Sequence, residues 1–477
     1  MAILDYRVVA WEGGRSRLNA ATAVAVLSLL FGAIIILLTP PLRGPDETAH
    51  FLRALGVAQG DFVPAVRDAQ GRSGVFLPPR IQEGFEYFEN VRVAERRAGW
   101  PGYRQLFKDY FSRVPSTAEP ARRPVFVPYG GSEGYSPVAY LPQAAAALVG
   151  RLLDLEFLTM YYLMRFAGLG VLTTLIAYAI AISPQLGWTL FAAAMLPAAL
   201  YGRSVINADG SALAAAIGIT AVWVREIIAP SLTRLWQFAG WMTLSALTKP
   251  TNLAFALLGL LMPLNRTTRS AAALAVAVLP AMFIAVLWTY VSGADTAAWR
   301  MVEITGQPPV SFDPVVKLAY WLDHPLHFPA AVIASFQGNF VELWRQMIGV
   351  LGMFDTVLPT WVYLTLTVLL AASLVTQQTI EVRARTWIAL VAAITAVGYV
   401  FAVYFVCYLS FTPLDADVVW GVQGRYFVPL LPLLAVVLAC IGHRDPAERI
   451  RAALGIGVAV LSGIASIVAI LAADWKI

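Results

Sequence analysis

The chain has 477 residues, 59% hydrophobic and 13% charged, with a mean hydropathy of +0.68. Soluble domains carry about 25% charged residues, so a water-soluble globule is excluded and an all-α polytopic membrane protein is implied. The net charge of +5 comes without a basic patch interleaved with aromatics; this argues against nucleic acid and suits contact with anionic membrane lipids.

The first predicted element runs from Ala20 to Thr39, twenty uncharged and almost wholly apolar residues. As a helix it covers about 30 Å of hydrocarbon. It is too long for a signal-peptide core, and no small-x-small cleavage site follows it, so it reads as a retained anchor. Directly after it comes Pro41-Leu42-Arg43-Gly44-Pro45-Asp46-Glu47-Thr48-Ala49-His50. Two acids, a histidine and Arg53 are thereby delivered to the membrane surface, where desolvation tunes a carboxylate for proton transfer. The same acids also suit a plain helix N-terminus after Pro45.

Further apolar runs lie near 159–182, 185–202, 209–224, 235–248, 251–264, 270–292, 355–375, 386–410, 425–442 and 452–473. The expectation is about eleven spans, within a range of ten to thirteen. Pro137 to Leu153 is apolar enough to pass for another. Counting it would put Arg225, Arg234, Arg266 and Arg269 on the wrong loops, so it is read as a juxtamembrane helix. With the N-terminus inside, the short cytoplasmic segments hold Arg7, Arg15, Arg17, Arg225, Arg234, Arg266, Arg269, Arg383, Arg385, Arg444, Arg449 and Arg451. The short outer segments hold little beyond Arg203, Lys249 and Lys476, which is the positive-inside bias. The expected division is a cytoplasmic N-terminus 1–19, a first transmembrane helix 20–40 and a first extracytoplasmic loop 41–158 with juxtamembrane helices and the acids. A transmembrane core 159–292, a second extracytoplasmic loop 293–354 and C-terminal transmembrane helices 355–477 follow. No internal repeat is visible, which speaks against inverted-repeat transporters.

Polar groups collect at the outer ends of these spans. Beyond Asp46, Glu47, His50 and Arg53 there are Tyr135 and Tyr140, Arg165 one to two turns into a span, and Arg203 with Asn207 and Asp209. Lys249 and the run Gln423-Gly424-Arg425-Tyr426 complete the set. A cation within a span costs about 2.5 to 3.5 kcal/mol unless it meets a partner or water, so Arg165 demands an explanation. Plainer readings exist for each: snorkelling for Arg165, capping for Asn207 and Asp209, interfacial anchoring for Lys249 and Arg425, and an aromatic belt for the tyrosines. Their coincidence on one side favours a site. His324 and His327 match no zinc spacing, and Cys407 and Cys440 lie inside apolar runs, supporting neither a disulfide nor a cysteine metal site. No phosphate loop, dinucleotide fingerprint or nucleophile elbow is present.

The ordered blocks GPDETAHFLRA, YSPVAYLPQA, GRLLDLEFLTMYYLMRFAG, NADG, LTKPTN, LGMFDTVLP and VQGRYFVPLLPLL resemble a bacterial family of predicted membrane proteins, the domain of unknown function twenty-one forty-two. That family in turn resembles the GT-C glycosyltransferases, which take a sugar from a polyprenyl-phosphate carrier on the extracytoplasmic side. The resemblance implies a GT-C-like fold in the bacterial cytoplasmic membrane, with the active site facing the exterior. It carries the general base onto Asp46 or Glu47 and a second functional acid onto Asp209. The implied partners are a polyprenyl-phosphate-linked sugar donor and a glycan or lipid acceptor. Such chemistry needs a carboxylate to take the acceptor proton and cations for the departing phosphate, roles that Asp46 and then Arg165, Lys249 and Arg425 can fill. A direct displacement would invert the sugar carbon. A divalent cation, Mg or Mn, on Asp46, Glu47 and Asp209 is left open, as are a flippase or transporter of lipid-linked saccharides and a non-catalytic envelope-assembly protein.

Overall fold

Asn19 starts the first helix, its side-chain oxygen accepting the Thr22 amide at 2.8 Å. Pro40 and Pro41 follow its end, where no amide hydrogen is left to extend the ladder. In the computed structural model, which describes residues 19–95, 102–113, 123–263, 270–292, 295–382, 384–442 and 446–477, this helix is α1 (Ala20–Leu38). The connection after it folds as α2 (Glu47–Ala58), α3 (Pro79–Glu95), α4 (Tyr103–Arg113) and α5 (Leu141–Leu152). A small antiparallel sheet pairs β1 (Gly74–Leu77) with β2 (Val125–Pro128). α5 is the segment read as juxtamembrane; its twelve residues rise only about 18 Å, and it packs on α2 and the following helix.

The helical body then runs through α6 (Phe157–Ile182), α7 (Gly187–Ala194), α8 (Pro197–Ser204), α9 (Asp209–Ile228), α10 (Leu232–Thr248), α11 (Ala256–Leu260) and α12 (Ala271–Ser292). A second connection holds α13 (Asp295–Thr305), α14 (Pro314–Asp323), α15 (His327–Gly349) and a hairpin of β3 (Val350–Leu351) and β4 (Thr356–Val357). The body closes with α16 (Thr360–Val375), α17 (Arg385–Phe411), α18 (Leu430–Ile441) and α19 (Glu448–Ile470).

Seven of these segments are long and apolar enough to cross a membrane: α1, α6, α9, α12, α17, the stretch Gly424–Ile441 containing α18, and Glu448–Trp475 containing α19. The expected eleven spans are therefore not all present as full-length helices. The run at 185–202 is cut in two before Pro197, which sits at the first turn of α8. The run at 251–264 begins at Pro250 as a 3₁₀ turn and leaves only the five residues of α11. The runs at 235–248 and 355–375 become the seventeen-residue α10 and the sixteen-residue α16. Several arginines of the orientation argument, Arg7, Arg15, Arg17, Arg266, Arg269, Arg383 and Arg444, lie outside the described residues.

α9 is the centre of the bundle, with 89% of its apolar window buried. Its small residues allow close approach: a Cβ on Gly218 would stand 1.9 Å from the Trp241 ring of α10. The α7–α8 break is also buried, and the carbonyls it frees need donors from side chains because hydrocarbon supplies none. Arg203 provides them, donating to the Ala194 and Ala199 carbonyls at 2.8 and 3.1 Å and to the Ser28 hydroxyl at 3.1 Å. Connections gather at one end of the bundle. There the Leu42 amide donates to the Tyr161 hydroxyl, Ser136 to the Leu247 carbonyl and the Trp475 indole to the Leu38 carbonyl.

Candidate functional site

Asp46 precedes α2 in the left-handed region, with φ 53° and ψ 20°. Aspartate tolerates that conformation better than most residues. Its side chain makes no capping bond, so the plain N-cap reading of this acid fails. The carboxylate instead turns across the bundle end. Its Oδ2 lies 3.3 Å from Arg425 Nη2, and its Oδ1 lies 3.4 and 3.5 Å from the two terminal nitrogens of Arg300 on α13. Burial pushes the Asp46 carboxyl upward, yet the guanidinium groups of Arg425 and Arg300 outweigh it and hold it below its ordinary 3.8.

Asp209 starts α9 and forms the second half of the cluster. Its Oδ1 accepts Lys249 Nζ at 2.7 Å and its Oδ2 lies 3.1 Å from Arg425 Nε. Arg425 thus bridges two acids that are far apart in sequence. Asn207 orients the start of α9, its Oδ1 accepting the amides of Asp209 and Gly210 at 3.0 and 3.1 Å. Gln423 accepts from Arg425 Nε at 2.8 Å, and the Tyr426 ring underlies both Lys249 Nζ at 3.5 Å and the Arg425 guanidinium at 5.4 Å. The turn that carries Arg425 is pressed against α15: the Gly424 amide donates to Gln346, and a Cβ on Gly424 would fall 1.8 Å from the Leu343 carbonyl. Only glycine fits there.

His50, one turn into α2, shares a hydrogen bond of 2.6 Å between its Nδ1 and the Tyr140 hydroxyl and packs beside Tyr135. Burial lowers its imidazole to about 4 against the pull of Asp46 and Asp209, so the ring is neutral at pH 7. Burial also raises the Tyr135 and Tyr140 phenols. Beside this cluster opens a cleft of about 540 Å³, mouth included, lined among others by Pro45, Tyr201, Asn207, Asp209, Lys249 and Arg425. Arg425 Nη1 is buried there without a hydrogen-bond partner among the described residues.

Four expected site residues are turned elsewhere. Glu47 is sealed in the interior, where it accepts the Gly44 and Ile206 amides and faces Arg165 through two bonds of 2.8 and 2.9 Å. A carboxylate holding four donors has no capacity for a substrate proton. Arg165 spends its remaining donors on the carbonyls of Ile36, Thr39 and Pro40, closing the end of α1; it neither snorkels nor lines the cleft. Arg53 caps the turn after α2 through the Asp61 and Phe62 carbonyls at 2.7 and 2.6 Å, and Arg203 mends the α7–α8 break. Two participants had no sequence signal. Arg300 lies 254 positions from Asp46, and the Phe354 ring stacks 4.8 Å from Arg425 from a β3–β4 turn with φ 65°.

The three acids suggested as metal ligands are not assembled, because Glu47 is paired with Arg165 while Asp46 and Asp209 face cations. Among the described residues no three His, Cys, Asp or Glu side chains converge.

Long apolar helices stitched together by buried arginines, with an ionised cluster at one end, define a polytopic, membrane-embedded protein. The chain belongs to the family of predicted membrane proteins DUF2142, which it matches over residues 29–434, a stretch containing every residue of the cluster. No curated protein and no solved structure matches it.

Proposed function

We propose that the chain is an integral-membrane glycosyltransferase that moves a sugar from a polyprenyl-phosphate donor to an extracytoplasmic cell-envelope glycan or lipid acceptor. The observation that carries the reading is Asp46, a one-third-exposed carboxylate held ionised among cations and joined through Arg425 to the lining of a cleft. Lys249, Arg300 and Arg425 face Asp46 and Asp209, so three positive charges outnumber two negative ones. An anionic ligand is favoured there.

In the proposed step the acceptor hydroxyl loses its proton to Asp46 while its oxygen attacks the sugar carbon. The bond from that carbon to the phosphate oxygen breaks with its electron pair, and the phosphodiester monoanion becomes a monoester dianion. Lys249, Arg425 and Arg300 stabilise the charge that appears. One displacement inverts the carbon, unlike paired-carboxylate retaining hydrolysis. No step is routed through a metal.

The test is the wild-type chain and Asp46→Asn in proteoliposomes with polyprenyl-phosphate sugars and candidate acceptors. Asparagine keeps the shape and the left-handed backbone but accepts no proton at neutral pH. Transfer should fall about 10²-fold or more with lipid-phosphate affinity unchanged. Translocation without any glycosylated product would replace the enzyme with a flippase. Neither product nor translocation would leave an envelope-assembly role.

A further inference from the structure

The acids of the molecule are held with unequal grip. Lys249 meets Asp209 at 2.7 Å, and Arg165 meets Glu47 through bonds of 2.8 and 2.9 Å, the range of good charge-assisted bonds. Asp46 has no such partner: its contacts to Arg300 and Arg425 run from 3.3 to 3.5 Å. Arg300 is the looser of its two cations, 48% exposed against 10% for Arg425, with one further long contact of 3.4 Å to the Gly130 carbonyl. Among the described residues these are its hydrogen-bonding contacts, and all are long. In the cleft lining, Arg425 keeps its Nη1 buried and without a hydrogen-bond partner among the described residues.

Resting on the glycosyltransferase reading of this site, we propose that Arg300 is a donor-phosphate receptor that leaves Asp46 when the lipid phosphate binds, so that the substrate itself frees the base. Phosphate oxygens offer Arg300 a bidentate partner at about 2.7–2.9 Å, better than its long contacts to Asp46 and Gly130. Arg425 Nη1 supplies a second donor to the same anion. Once Arg300 has moved, Asp46 faces Arg425 on the 424–427 turn and His50 on α2, and these two groups in turn face Asp209 and Lys249. With one cation fewer beside it, Asp46 becomes a stronger base at the moment the acceptor must be deprotonated. Because the phosphate gains a negative charge as the sugar carbon leaves, Arg300 grips the monoester product and the late transition state more tightly than the diester.

The experiment uses the full chain in nanodiscs, with a polyprenyl monophosphate and a non-transferable polyprenyl phosphodiester as probes. Arg300→Gln should weaken monophosphate binding about tenfold or more and diester binding less, while Arg300→Lys restores part of the difference. The acid limb of kcat/KM should move upward in Arg300→Gln while that of kcat stays where it is, because Arg300 has already left Asp46 in the loaded site; an arginine that stayed on Asp46 would shift both. Equal affinities for both probes and an unmoved acid limb in a normally melting Arg300→Gln protein overturn the inference. Failure of the base reading looks different: Asp46→Asn would then transfer at the wild-type rate whatever Arg300 does.

Discussion

Asp46 keeps its carboxylate partly exposed between Arg300 and Arg425, whereas Glu47, next in the chain, is closed against Arg165 and two backbone amides. Composition alone makes them equivalent; the left-handed turn at Asp46 sends the two side chains in opposite directions. Removing one partner of a buried pair leaves the other charge unpaired, at about 3–5 kcal/mol. Arg165→Met should therefore lower thermal stability sharply while the folded fraction binds lipid phosphate as before; a normally stable variant with weakened binding would return Arg165 to the site. His50 gives a pH signature. Its imidazole titrates at about 4 when folded and 6.5 when free, so between those values the unfolded chain binds a proton that the native one does not. Stability must then rise with pH across that window and be lost as pH falls through it. In melting curves recorded from pH 4 to 7, His50→Gln should flatten this slope.

Elements divide along the same line between what is visible in a sequence and what is not. All seven long apolar segments were legible, because length and uninterrupted hydrophobicity are properties of consecutive residues. The α7–α8 break was not, since the donor that makes it tolerable is the Arg203 guanidinium folded back onto the Ala194 carbonyl. Site residues were legible as a coincidence of polar groups at helix ends. Arg300 escaped because its role arises from a contact 254 positions away. The 424–427 turn shows how an element can be set by another's backbone. Gly424→Ala places a methyl group 1.8 Å from the Leu343 carbonyl, and the turn must retreat from α15. Lipid-phosphate affinity should drop with little loss of secondary structure, as read by titration and circular dichroism; unchanged affinity would show that Arg425 does not depend on this packing.

At the scale of the whole molecule the orientation rests on arginine asymmetry, and it predicts the face on which the cluster lies. Cys407 and Cys440 are buried, so the chain offers a quiet background for thiol labelling. An impermeant reagent added outside intact cells should modify Gln70→Cys, in the exposed part of the first connection, and spare Thr267→Cys. The opposite pattern would place the cluster on the cytoplasmic side and remove the proposed donor from its reach.

Asp46 and Arg425 are 379 positions apart. At about 5–20 residues per second, a ribosome needs roughly 20 to 75 seconds after making the acid to make the cation that bridges it to Asp209. Throughout that delay the nascent chain holds two acids that no residue yet bridges, each left to its own cation, Arg300 or Lys249, as that residue is made, while the hydrophobic segments that follow are still being inserted. A chain arrested before residue 425 would be a membrane protein in composition and an unfinished site in chemistry, its two acid–cation pairs present but not yet joined.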